Sequence, residues 1–217
     1  LVAFQLNFMM KKILLGLIAV VALALLIYWL KCQMGINLTG LLSLHDFPLF
    51  RGLQREEVLA RPAPGTLLSD SFDSFGIIHH WSELWMREKG RVTVDHDSRG
   101  RGGSRCLVIR STSDRDWSYA HNRLIQVRPG EVFSFRGWAC LEGEKASASI
   151  GVSAFDQGRK ATSWSYVAEK VDRRGAWVKV ERTFRIPEGI AYIRFRLSGV
   201  GAGAFRFDEV CFEKERS

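Results

Sequence analysis

Apolar residues recur at every second position from Leu67 onward, and a turn signal closes each run. Ala146, Ala148, Ile150, Val152 and Ala154 alternate with Ser147, Ser149, Gly151 and Ser153. Phe133, Phe135, Gly137 and Ala139 fall on one face, and Ser134, Arg136 and Trp138 on the other. Ala191, Ile193, Phe195 and Leu197 alternate with Tyr192, Arg194 and Arg196. A two-residue period lines one side of a strand and cannot line one side of a helix. Gly100 to Gly103, Pro129-Gly130, Gly175 and Pro187-Glu188-Gly189 punctuate the runs. Val92 to Val94, Cys106 to Arg110, Leu124 to Val127 and Trp177 to Ile186 read as further strands, and Asp95 and Asp97 as turn residues. Short alternating strands between regular turns predict an all-β fold, an antiparallel sandwich over residues 66–217.

Two aromatic, carboxylate-bearing stretches bracket that domain. The first, Asp70 to Phe75, reads Asp-Ser-Phe-Asp-Ser-Phe; the second, Phe205 to Phe212, reads Phe-Arg-Phe-Asp-Glu-Val-Cys-Phe. They are expected as the first and last strands, lying side by side. About 150 residues suffice to bury a core, and 47% apolar and 12% aromatic content suit one. From Thr66 onward there are 25 Lys and Arg against 20 Asp and Glu, a net of +5 with both signs interspersed. That excess favours anionic head groups or acidic protein faces, and it is far from a nucleic-acid footprint.

Lys11 and Lys12 precede an unbroken apolar run from Ile13 to Leu30. Its eighteen residues, at about 1.5 Å each, would reach roughly 27 Å, near the hydrocarbon thickness of a bilayer. Tyr28 and Trp29 sit where interfacial aromatics belong. Residues 13–30 are therefore expected as a single transmembrane helix. The lysines before it place residues 1–12 in the cytoplasm. A cleaved signal peptide, cut after Ala22-Leu23-Ala24, is the competing reading, although apolar sequence continues past that site. With Leu1 first, the expected start is Met9 or Met10 unless a non-standard start codon was used. Residues 31–65 form a membrane-proximal linker, too apolar from Leu41 to Leu53 for a solvated tether. Gln54 to Arg61 is expected to add two helical turns before the stiff Arg61-Pro-Ala-Pro-Gly65.

Cys32, Cys106, Cys140 and Cys211 show no C-x-x-C spacing, which argues against a zinc knuckle or redox motif. The three in the domain are expected as buried thiols, with one disulfide as the alternative. His79-His80 point to opposite sides of a strand and so seldom ligate one ion. No nucleophile elbow occurs, and Gly199 to Gly203 is not followed by the Lys-Ser/Thr of a phosphate loop. Nothing in the sequence pairs two carboxylates across a cleft.

Four segments carry a resemblance. Val127-Arg-Pro-Gly-Glu-Val-Phe-Ser-Phe-Arg-Gly-Trp-Ala139 resembles the "v-x-pG-x-x-Y-x-l-s-x-W-v" segment of jelly-roll carbohydrate-binding modules of the glucan- and xylan-binding kind. Trp177-Val-Lys-Val-Glu-Arg-Thr-Phe-Arg-Ile-Pro187 is similar to their "W-x-x-v-x-x-x-F-x-v-P". Phe207-Asp-Glu-Val210 resembles the closing "f-D-D-V", and Asp70-Ser-Phe-Asp73 the opening "N-x-x-F-E", one residue short. The match covers about residues 68 to 214. It implies a jelly roll and, where first and last strands meet, one structural Ca²⁺ held by Asp70, Asp73, Asp208 and Glu209. The same carboxylates read equally well as solvated or N–H-bonded side chains.

Such folds bind sugars on aromatic platforms. Trp117 with Tyr119, and Trp164 with Tyr166, are the candidate carbohydrate-binding pairs, each at i and i+2 on one side of a strand. Trp138 and Trp177 match framework positions and are expected in the core, with Trp81 and Trp85 as packing residues. Two functions follow. The first is a non-catalytic, single-span accessory subunit, its jelly roll bracing a larger membrane complex such as a photosynthetic or respiratory one. The alternative is a membrane-tethered carbohydrate-binding module holding cell-envelope polysaccharide. Both place the domain on the periplasmic side of a bacterial inner membrane, with the bilayer as one partner and no nucleic acid. Arg194 and Arg196 would meet an acidic partner face, anionic lipid or open solvent.

Overall fold

A computed structural model describes residues 57–73 and 81–216. The expected cytoplasmic segment 1–12, the span 13–30, most of the linker, Cys32, Phe75, His79 and His80 lie outside the described residues. Among those residues no helix is long and apolar enough to cross a membrane.

The described chain is a two-layer antiparallel sandwich with one 3-10 turn, Arg101–Gly103. Its strands are β1 (Glu57–Leu59), β2 (Gly65–Asp70), β3 (Trp81–Met86), β4 (Val92–Asp97), β5 (Cys106–Ser111), β6 (Asp116–His121) and β7 (Arg123–Gln126). They continue with β8 (Val132–Glu142), β9 (Ser147–Phe155), β10 (Ala161–Val171), β11 (Val178–Arg185), β12 (Tyr192–Val200) and β13 (Gly203–Lys214). The front sheet runs β10, β9, β12; β6 and β7 then share the far side of β12, with β3 beside β6 and β1 beside β7. In the back sheet β11, β8 and β13 are followed by β5 and β2, which share the far side of β13, and by β4 beyond β5. Only the β1–β7 ladder is parallel among these described strands. The bracketing strands meet as expected, with Asp70 of β2 opposite Val210 of β13.

Alternation decides which residues enter the core. Phe133 and Phe135 of β8, Phe184 of β11, Phe195 of β12 and Phe212 of β13 stack between the sheets at centroid distances of 5.3–6.4 Å. Such pairs add about 0.5–1.5 kcal/mol each beyond the area they bury. Trp117 makes a second knot with Phe205 and Phe207, and Trp81 a third with Phe72, Tyr119 and Phe195. Gly199 makes room for Trp117, since a Cβ there would come within 2.5 Å of the indole.

Several expectations are corrected. Glu57–Leu59 is a strand docked on β7, not helix. Asp95 and Asp97 belong to β4, where the ladder with β5 sets them opposite Val108 and Cys106. Trp138 and Trp177 are only half-buried; Trp138 falls on the outward register of β8, where Arg101 covers its ring at 4.1 Å. The cysteines follow expectation as free thiols, Cys106 and Cys211 buried and Cys140 half-buried.

Candidate functional site

The expected sugar platforms do not survive folding intact. Trp117 is 1% exposed and faces Phe205 between the sheets. Tyr119 is also buried; it stacks on Trp81 and donates its hydroxyl hydrogen to the Trp81 carbonyl. Neither is open to a ligand, because β6 turns its odd-numbered residues to the core. Trp164 and Tyr166 are separated by a bulge. The β9–β10 register shifts between Ser163 and Val167, and bulges re-aim side chains in this way. Trp164 goes outward, 65% exposed, with its edge on Phe155. Tyr166 goes the other way, packs on Phe184 and donates to the Arg185 carbonyl at 2.9 Å.

What the fold gathers instead is the outer face of the front sheet. On β3, Leu84 and Met86 pack inward and Trp85 outward, 48% exposed. Arg87 stacks on Trp85 at 5.5 Å and donates to both oxygens of Asp116, at 2.5 and 3.0 Å. Those hydrogen bonds hold the Asp116 carboxyl below the usual carboxylate range. Next come Ser118 on β6, opposite Trp85, and the even-numbered residues of β12. Beyond them lie Ser149, Gly151, Ser153 and Phe155 of β9, then Trp164 and Lys170 of β10. The face crosses β3, β6, β12, β9 and β10, about 19 Å at the usual strand spacing, with an exposed tryptophan at each edge.

Its floor is cationic. Arg194 is 9% exposed and lies over the Phe155 ring at 5.5 Å. Arg196 extends along the sheet to the bulge, where Nη1 donates to the Trp164 carbonyl at 2.7 Å and to Ser153 Oγ at 3.3 Å. Ser153 Oγ donates to the same carbonyl at 2.9 Å. The carbonyl freed by the bulge therefore fixes the guanidinium. Burial pushes both arginines down from their ordinary values, the direction expected of desolvated cations. Of the settings considered for them, open solvent is not what forms: Arg194 is buried and Arg196 half-buried. Trp85 was expected to pack; its outward register on a strand whose neighbours pack inward is the signal that could have shown otherwise.

The carboxylates proposed for calcium lie near the β2–β13 junction but are taken by N–H and O–H donors. Asp70 accepts from the Phe72 amide at 2.8 Å and the Trp81 indole at 3.1 Å. Asp208 accepts from the amides of Arg101 and Glu209, both at 2.8 Å, and from Ser104 Oγ at 3.1 Å. Asp73 accepts from the Arg105 amide, and Glu209 pairs with Arg101 at 2.9 Å. Burial pushes the Asp208 carboxyl up in spite of its donors. Ca²⁺ takes six to eight oxygens; a donor-filled, arginine-capped junction does not fit it. No cluster of three or more His, Cys, Asp or Glu side chains suited to a metal occurs among the described residues. Burial likewise pushes the Cys106 thiol up to about 12, far from a nucleophile's range.

The profile of the carbohydrate binding domain family matches residues 65–200, well over half of the chain. The chain belongs to this family. Its modules hold carbohydrate without reacting with it, although some structural neighbours are fused to catalytic domains. A xylan-binding domain of carbohydrate-binding family 22 superposes with a TM-score of 0.50 at 18% identity, over 72% of this chain and 99% of that one. A Clostridium thermocellum xylanase 10B fragment with its family 22 module, complexed with xylohexaose, gives 0.50 at 14% identity over 70% and 28%. The enzymatically active domain of bacteriophage CBA120 tailspike protein 4 gives 0.50 at 16% identity over 66% and 20%. The chain thus spans under a third of these last two, and at such identities the likeness is one of fold. None of the curated proteins matches the chain.

Proposed function

We propose that the domain binds polysaccharide on the outer face of its front sheet, between Trp85 and Trp164. The observation that carries this reading is the pair of exposed indoles at opposite edges of one sheet face, with hydrogen-bonding serines and arginines between them, in a carbohydrate-binding family. Indole faces accept the apolar faces of sugar rings, and the floor supplies donors for ring hydroxyls. Neither the family nor the fold supports an accessory subunit as the first choice, and carbohydrate binding takes its place. We infer further that residues 13–30 tether the module to a membrane, so that it holds envelope polysaccharide outside the cytoplasm. Protease added to intact spheroplasts should then remove the sandwich; full protection would reverse that topology.

The site is tested with the full chain on affinity gels cast with individual polysaccharides. Trp164→Ala and Trp85→Ala should each weaken retention by about 2 kcal/mol, the scale of a tryptophan hot spot, while leaving thermal unfolding unchanged. Retention untouched by either substitution would remove this face from consideration.

A further inference from the structure

Resting on that reading, we propose that the polysaccharide is acidic, carrying uronate carboxylates. Four cations on the front face and its adjoining turn have no ion-pair partner among the described residues. Arg196 is half-buried; its Nη1 is held by a carbonyl and a hydroxyl, both neutral, and its Nε is buried with no hydrogen-bond partner among the described residues. Lys170 is exposed on the same face, opposite Ser149, on the other side of Arg196 from the bulge. At the β9–β10 turn, Arg159 lies over the Tyr192 ring at 5.7 Å, and Lys160 is exposed next to it. None of these four makes an ion pair among the described residues. Two acids of this region are engaged elsewhere: both Asp116 oxygens accept from Arg87, and Asp156 Oδ1 accepts from the amide of Lys160 within the turn.

A half-buried guanidinium held by neutral oxygens keeps its full charge in a poorly solvated place. A carboxylate arriving there gains a charge-assisted hydrogen bond that a neutral hydroxyl cannot match. Trp164 stands at the same point, because its own carbonyl anchors Arg196. A uronate ring stacked on that indole would bring its carboxylate towards the Arg196 guanidinium. Stacking and charge would then act on one sugar, which separates this arrangement from diffuse attraction to a basic surface.

The experiment compares affinity gels of polygalacturonate, alginate and hyaluronan with gels of methyl-esterified pectin, galactan and xylan. Retention is expected on at least one acidic gel, falling with added salt, and lost where esterification removes the charge. Arg196→Met should weaken it by about tenfold, equivalent to 1.4 kcal/mol. Lys170→Gln, at an exposed position with no structural partner, serves should Arg196→Met fold poorly, and should weaken it severalfold. Lys179→Gln removes the same charge from the back sheet, where Lys179 pairs with Glu181, and should change nothing. Equal losses from Lys179→Gln and Lys170→Gln would reduce the effect to net charge and overturn the proposal. Retention only on neutral gels, sensitive to Trp164→Ala, would overturn it and leave carbohydrate binding standing. No retention on any gel would remove both.

Discussion

The two outer faces of the sandwich both carry arginines on a central strand and use them in opposite ways. On the back sheet Arg206 of β13 is 2% exposed, and its Nε meets Asp97 at 3.0 Å while Nη1 and Nη2 meet Glu142 at 2.9 and 3.1 Å. Arg99 pairs with the same two acids, Arg101 with Glu209, and Arg136 with Glu213. On the front sheet the Arg196 guanidinium meets neutral oxygens. Charge answered from within fixes the fold; charge answered by dipoles stays available to a ligand. The difference also bears on the carboxylates of the β2–β13 junction. Arg101 brings a cation of the protein's own to the β2–β13 junction, over Trp138 and against Glu209.

The sharpest way to break this contrast is to remove one arginine from each face. Arg206→Met removes a guanidinium that is 2% exposed and bonds both Asp97 and Glu142. Arg99 still answers Asp97, so a cost of about 3 kcal/mol in urea unfolding is expected, the low end for halving a buried pair. Arg196→Met removes hydrogen bonds to neutral groups, and the Trp164 carbonyl keeps its Ser153 donor, so a loss of about 1 kcal/mol is expected. Equal losses would erase the distinction.

Acid should separate the faces next. Burial pushes the Asp97 carboxyl up, but hydrogen bonds from Arg99 and Arg206 outweigh it and hold the group well below the usual carboxylate range. A carboxyl so lowered stabilises the fold fully above its unfolded value of about 3.9. It loses that contribution as pH falls through this value towards the folded one. The stability difference between the natural chain and Asp97→Asn should therefore be constant near neutrality and shrink below about pH 4. A difference that persisted at low pH would mean that Asp97 acts through packing and not charge.

Much of this architecture is written in the alternation. The strands at Phe133 to Ala139, Ala146 to Ala154 and Ala191 to Leu197 form where the period-2 runs lie, and the terminal strands meet. The site was less legible, because it depends on which face each residue takes. Trp117 shares a strand with Asp116 and Ser118, and only the glycine opposite, Gly199, explains why its ring goes inward. The bulge that parts Trp164 from Tyr166 changes register in the middle of a run, and a strict i, i+2 rule carries straight through it. The pairing of Asp97 with Arg206 spans 109 residues, a separation at which local pattern carries no information.

The smallest effect tests the contrast most finely. Arg159 adopts φ 61° at the β9–β10 turn, closing it with an amide hydrogen bond to the Asp156 carbonyl at 3.0 Å. A left-handed backbone costs a side chain-bearing residue about 1–2 kcal/mol, whereas glycine there forfeits only about 0.5–1 kcal/mol of chain entropy. Arg159→Gly should thus leave the unfolding free energy unchanged or raise it by about 0.5 kcal/mol. If the side chain over Tyr192 serves an acidic ligand, the same substitution should weaken retention on the acidic gel about threefold, a change of under 1 kcal/mol. Loss of stability would make Arg159 a structural residue and bring the front face closer to the back one. Unchanged retention would detach the strained turn from the ligand and confine the cationic site to Arg196 and Lys170.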